Sequence, residues 1–298
     1  MDYLALSFEL GGLLPQRAEA ACLELGALAI TFSDSRDDPV LEPAPGEVRL
    51  WPATRLQALF AEHADCAALS SRLAAILQLE AGRIAAQILA DRAWEREWLR
   101  DFHAMRFGRR LWVCPHHEQV ADRAAALVKL DPGLAFGTGT HASTALCLEW
   151  LDAHLRPGMA VIDYGSGSGI LGIAAAVLGA TRVDAFDIDP QAWLATAENA
   201  AANGLGRRLR AHADAAQLPT AVDLLMANIL ARPLCELAPD FAQRLRPGGQ
   251  IVLAGILSEQ AEAVACVYAP WFDIAPCGAR DGWVALAGIR KIDVHSLS

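Results

Sequence analysis

The run Val161-Ile162-Asp163-Tyr164-Gly165-Ser166-Gly167-Ser168-Gly169-Ile170-Leu171-Gly172 decides the fold. An apolar strand passes into closely spaced glycines, and a helix opens at once. Glycine is needed there because a side chain would hold the backbone away from a ligand, and because such a turn uses left-handed dihedrals. The helix start adds free N–H donors and a field that favours a carboxylate or phosphate. Working outward, candidate strands at 159–164, 182–187, 222–228, 250–255 and 283–289 have helical segments between most of them. That alternation is the pattern of a parallel α/β sheet with helices on both faces.

The glycine spacing alone leaves two chemistries open. Gly167, Gly169 and Gly172 satisfy G-x-G-x-x-G with Asp187 20 residues beyond Gly167, as in a nicotinamide-dependent hydride-transfer enzyme. Read from Gly165, the run is G-x-G-x-G with Asp187 22 residues on, which resembles the cofactor loop of S-adenosylmethionine-dependent methyltransferases. The strand Val183–Asp187 ends in carboxylates. Asp189 reads as the N-cap of the next helix, with Pro190 at its first position and Asn203-Gly204 as its stop. Asp187 has no such capping role to perform, and a carboxylate at a strand's carboxyl end can take both ribose hydroxyls of an adenosine. Asn228 closes the apolar strand Asp223–Asn228 at the same edge, where its carbonyl can accept a hydrogen bond from an amine.

The first hundred residues differ in pattern. Residues 4–10, 28–32, 48–51 and 84–89 read as strands. One helix has Pro15 in its first turn and Gly26 at its end, and a second carries Leu69, Leu73, Ile76 and Leu77 on one face. The order β-α-β-β-α-β is the ferredoxin-like split motif. This region has 15 acidic and 9 basic residues and no catalytic cluster, which suits a recognition module; a cap that only stabilises the rest is the plainer alternative. Trp94 and Trp98 share a helix face at the junction.

Composition narrows the classes. With 54% hydrophobic and 20% charged residues the chain can bury a large core and is not a disordered tail. Its longest apolar run, Ile170–Ala180, is about half a bilayer span, and no basic residue precedes Arg17, so neither a membrane span nor a secretory signal is expected. A net charge of −10 lacks the basic footprint of a nucleic-acid binder and favours a cationic partner such as a lysine-rich polypeptide. Seven scattered cysteines without a C-x-x-C pair fit reduced, mostly buried thiols of a cytoplasmic protein, and no metal site is expected.

Upstream of the glycine turn, Asp131-Pro132-Gly133-Leu134-Ala135-Phe136-Gly137-Thr138-Gly139-Thr140-His141-Ala142-Ser143-Thr144 alternates glycines with threonines before a helix at 144–153. Phe136 beside two glycines can lay an aromatic wall over a ligand. This loop, the Asp163–Gly172 run, Asp187-Ile188-Asp189-Pro190, Asn228-Ile229-Leu230 and Gly255-Ile256-Leu257 resemble, in order and spacing, the methyltransferases of large-subunit ribosomal protein L-eleven. Leu41–Trp51, Trp94–Trp98 and Phe107–Pro115 extend the resemblance over almost the whole chain.

The resemblance implies a Rossmann-like seven-stranded methyltransferase sheet behind a ferredoxin-like α+β domain. Its boundaries would be 1–92 for substrate recognition, 93–110 as linker and 111–293 for methyl transfer. It implies S-adenosylmethionine as cofactor, contacted by Thr144, Gly165, Asp187 and Asn228, with Gly167 and Phe136 as additional contacts. It further implies trimethylation of lysine amines and the N-terminal amine of the ribosomal protein, with no direct nucleic-acid or membrane partner. Ala142-Ser143 stands where the family commonly has Pro-Thr, and Ser166 where Cys or Thr is common. Asn228 would orient the amine, and His141 is the one residue in these loops that titrates near neutral pH. A non-catalytic protein that keeps the fold, such as an assembly factor, is the reading from another class.

Overall fold

The computed structural model describes residues 2–36, 50–61, 64–89, 103–122, 125–130 and 139–292. The chain divides into two compact units, Met1–Trp94 and Glu95–Ser298. The expected Trp94–Trp98 helix face, Phe136 and most of the segment Leu41–Trp51 lie outside the described residues.

The first unit runs β1 (Tyr3–Glu9), α1 (Pro15–Glu24), β2 (Ala29–Asp34), β3 (Thr54–Ala61), α2 (Cys66–Leu77) and β4 (Ala85–Leu89). Its antiparallel sheet has the order β2-β3-β1-β4, the ferredoxin-like arrangement that the order of elements implied. Alternation along β1 and β3 buries Leu4, Leu6 and Phe8 with Leu56, Ala58 and Phe60, and the helices cover this face with Cys22, Leu73 and Leu77. Pro15 opens α1, and Asp65 caps α2 by accepting from the Ala68 N–H at 3.0 Å. The third strand is placed differently from the expectation of 48–51. Leu50 and Trp51 are not in a strand, Pro52 follows them, and the ladder begins at Thr54, where the alternating run of eight residues can bury one whole face.

The second unit begins with β5 (Met105–Phe107), β6 (Leu111–Cys114) and β7 (Ala126–Lys129), a small sheet of its own. There follow α3 (Ala142–His154), β8 (Ala160–Tyr164), α4 (Ile170–Val177), β9 (Arg182–Phe186), α5 (Pro190–Ala202), β10 (Leu209–His212), β11 (Val222–Asn228), α6 (Ala231–Arg244), β12 (Leu245–Leu257), α7 (Ala261–Tyr268), β13 (Phe272–Arg280) and β14 (Trp283–Arg290). The large sheet has the order β10-β9-β8-β11-β12-β14-β13. Its strands are parallel except β14, which is antiparallel to both neighbours. This is the Rossmann-like seven-stranded sheet. The five strands read from the sequence are present; β10 and β13, the two edges, were not among them.

The middle strands are buried on both faces. Val161 and Ile162 are each fully buried yet belong to different cores, one on either side of the sheet. Strand order reverses between β8 and β11, so the crevice at their carboxyl ends is where an open α/β sheet takes its ligands. The seven cysteines are free thiols, as expected, but only Cys22, Cys114 and Cys147 are buried, whereas Cys266 and Cys277 are exposed.

Asp163, in the centre of β8, is 1% exposed. Its Oδ2 accepts from the Gly172 N–H at 2.8 Å, and its Oδ1 has no partner. Burial pushes this carboxyl up to about 7; the Gly172 N–H pulls it back, and the negative charge of Asp187 raises it further. A carboxyl raised on folding supplies stability that is fully present below the unfolded value near 3.8 and is lost as pH climbs through about 7. The thermal midpoint of the wild-type chain should therefore fall between pH 5 and pH 7.5. Asp163→Asn, which keeps an acceptor for Gly172 and cannot ionise, should show a flatter profile; equal slopes for the two proteins in a melting series would contradict this.

Candidate active site

At the carboxyl ends of β8, β9 and β11 lies a cavity of about 560 Å³, within the range of small-molecule sites. The turn after β8 supplies Gly165 and Gly167, the end of β9 supplies Phe186, Asp187 and Ile188, and β11 supplies Asn228 with Ile229 and Leu230 behind it. Pro233, Glu236 and Leu237 of α6 complete one wall, and the Tyr164 ring packs on Phe186 at 4.9 Å.

The turn has the left-handed conformation that its sequence demands, with φ of +76°, +55° and +82° at Gly165, Gly167 and Gly169. A Cβ on Gly165 would sit 2.2 Å from Ile229 Cγ2. Neighbours hold the turn through its backbone. The Gly165 and Ser166 N–H groups donate to the Phe186 carbonyl at 2.8 and 3.0 Å. Thr196 Oγ1 donates to the Gly167 carbonyl at 3.0 Å, and Asn199 Nδ2 donates to the Ser168 carbonyl at 2.9 Å. One turn further along α5, Asn203 Nδ2 donates to the Lys129 carbonyl and its Oδ1 accepts the Lys129 N–H at 2.8 Å. Sequence reading assigned Thr196 and Asn199 no role. The available signal was polar residues at i, i+3 and i+7 on a helix otherwise rich in alanine, aligned on one face.

Asp187 lines the cavity as expected, but the expectation that it has no structural task is corrected. Its Oδ2 accepts from the Gly167 N–H at 2.8 Å and its Oδ1 from the Asp189 N–H at 3.0 Å. Each carboxylate oxygen can accept more than one hydrogen bond, so this anchoring leaves room for hydroxyl donors. Asp189 caps α5 by accepting from the Gln191 N–H at 2.9 Å, and Pro190 opens that helix.

Asn228 and Thr144 come together across 84 residues of sequence, Asn228 Nδ2 donating to Thr144 Oγ1 at 3.1 Å. Thr144 is 1% exposed and stands behind Asn228 rather than in the cavity wall. With one amide N–H directed to Thr144, the carbonyl oxygen of Asn228 is the acceptor it offers a ligand. His141 is placed as the N-cap of α3. Its Nδ1 takes the Ser143 N–H at 3.4 Å and lies 2.7 Å from Ser143 Oγ, while its ring meets Trp283 edge-on at 4.8 Å. This His is thus built into the helix start as a cap.

Gly165, Gly167, Asp187 and Asn228 are thus gathered at one cavity, with Thr144 one hydrogen bond behind. The family model described as Ribosomal protein L11 methyltransferase (PrmA) matches residues 3–291. The Ribosomal protein L11 methyltransferase of Methylococcus capsulatus is 52% identical over 280 residues, covering 93% of this chain and 96% of its own. That of Pseudomonas aeruginosa is 46% identical over 283 residues, covering 94% and 96%. The crystal structure of ribosomal protein L11 methylase from Lactobacillus delbrueckii subsp. bulgaricus is 34% identical with a TM-score of 0.59, covering 64% of this chain and all of that one.

Thr196 is fully buried and serves Gly167 and Ser166 at once. Thr196→Val keeps the shape and strands both partners, so it should cost about 1–3 kcal/mol of stability. Urea unfolding checks this, and an unchanged midpoint would show that the turn does not need the hydroxyl.

Proposed function

Since this chain belongs to the ribosomal protein L11 methyltransferase family, we propose that it transfers methyl groups from S-adenosylmethionine to amines of ribosomal protein L11. The observation that carries the reading is the cavity in which the bare backbone of Gly165 and Gly167, a strand-end carboxylate and a strand-end asparagine converge. Hydride transfer, left open by glycine spacing, has no support from the family.

The residues fit the cofactor. Gly165 and Gly167 present bare backbone, Asp187 presents a carboxylate suited to a ribose diol, and Phe186, Ile188 and Leu230 offer apolar walls. S-adenosylmethionine, when bound, supplies a methyl group already activated by its sulfonium. The task left to the protein is alignment of a neutral amine. A free lysine amine, with a pKa near 10.4, is mostly charged at pH 7, and burial beside a positive charge favours its neutral form. Asn228 accepts an N–H of that amine through its carbonyl oxygen and so points the lone pair without taking a proton. Thr144 fixes which end of the Asn228 amide faces the amine. Phe136, outside the described residues, is proposed as a further wall. With His141 engaged as a helix cap, the reading requires no protein base. Lysine side chains and the N-terminal amine are the proposed targets, trimethylation the proposed extent and the cytoplasm the proposed place. Among the described residues no helix is long and apolar enough to cross a membrane.

The first unit, acidic and without a catalytic cluster, is proposed to grip the cationic substrate. Purified chain, labelled S-adenosylmethionine and ribosomal protein L11 should give label in the protein. A variant lacking residues 1–94 should keep cofactor affinity in calorimetry and lose nearly all of that label. No incorporation by the whole chain overturns the methyltransferase reading, and normal incorporation by the truncated one overturns the recognition role.

Thr144→Val should lower kcat by about tenfold or more, with stability and cofactor affinity near wild type, because Asn228 is then free to turn its amide. Thr144→Ser should restore most of the rate. Wild-type turnover in the valine variant would contradict the positioning role.

A further inference from the structure

Two charged side chains line the cavity among the described residues, Asp187 and Glu236. Asp187 is tied to the glycine turn and suits a ribose. Glu236, on the second turn of α6, is not used by the mechanism. Its Oε1 meets Arg232 Nε at 3.0 Å, an i,i+4 pair whose side chains are both more than half exposed. Such exposed pairs contribute little and yield readily to a better partner. Oε2 has no partner among the described residues. The neighbouring wall is apolar: Pro233 and Leu237 from the same helix, Leu230 before it and Ile188 across from β9. An apolar slot with one acceptor-only group at its edge suits a flat heterocycle that carries an exocyclic amine.

We propose that Glu236 reads the base of the bound nucleoside, accepting an N–H from the 6-amino group of adenine and rejecting a 6-oxo purine. The proposal rests on the cofactor reading above and assigns the cavity a polarity. The carboxylate of Asp187 faces hydroxyl donors, and that of Glu236 faces an amine donor. A 6-oxo group there would set acceptor against carboxylate, and only a shift of the base that brought its N1–H to Glu236 would supply a hydrogen. Arg232 is the resting partner of Glu236, and its fork still holds one oxygen when the other takes the base.

Calorimetry with S-adenosylhomocysteine and with S-inosylhomocysteine, its 6-oxo counterpart, tests this on the full chain. The wild type should favour the 6-amino ligand by about tenfold or more. Glu236→Ala should bring the two affinities within about threefold by weakening the 6-amino ligand alone. Glu236→Gln, whose amide both donates and accepts, should narrow the gap by tightening the 6-oxo ligand. An alanine variant that keeps the wild-type ratio overturns the proposal, as does a wild type that binds both ligands equally. A wild type that binds neither overturns the cofactor reading as well, so the two failures are told apart.

Discussion

The second unit depends on a turn whose backbone is bare toward the cavity and fully occupied behind it. Two N–H groups of the turn share the Phe186 carbonyl, a third goes to Asp187, and two of its carbonyls go to Thr196 and Asn199. Buried peptide groups must be paired, and each pairing here also fixes a position. The turn therefore needs no ligand to hold its shape. A Cβ on Gly165, or on Gly255, would run into Ile229, so neither position admits a side chain.

The acidic groups around this turn divide by surroundings rather than by type. Asp163 lies under the turn in an apolar interior, and its raised carboxyl behaves as a packing group that holds the start of α4. Asp187 at the edge of the crevice accepts two backbone N–H groups and still faces the cavity. Glu236 stands at the rim with an exposed arginine. Burial and hydrogen-bond donors thus turn three carboxylates on neighbouring elements into three different tools.

Much of this was legible in the sequence because it is local. Glycines at 165, 167 and 169 announce left-handed dihedrals, Asp189-Pro190 announces a helix start, and residues 4–10 announce β1, whereas the strand expected at 48–51 lies instead at Thr54–Ala61. What was not legible is non-local or atypical in pattern. Strand β10 has four residues, two of them Arg210 and His212, and β13 carries Pro276 and a register shift before Gly278. Edge strands have only one neighbour to satisfy, so they tolerate such residues and lose the period that identifies a strand. The Thr144–Asn228 contact and the polar stripe of α5 required knowing which faces meet. Asp187 was recognised by its place at the strand end, while its backbone bonds appear only once the turn is folded over it.

The central claim is that the crevice at the ends of β8, β9 and β11 holds an adenosyl group with its ribose on Asp187. Isothermal calorimetry of S-adenosylhomocysteine against its 2′,3′-dideoxy analogue, on unmodified protein, addresses the contact without disturbing the fold. Loss of both hydroxyls should weaken binding by at least about tenfold. Equal affinity for the two ligands would mean that the carboxylate serves the turn alone, and the account of the site would be wrong.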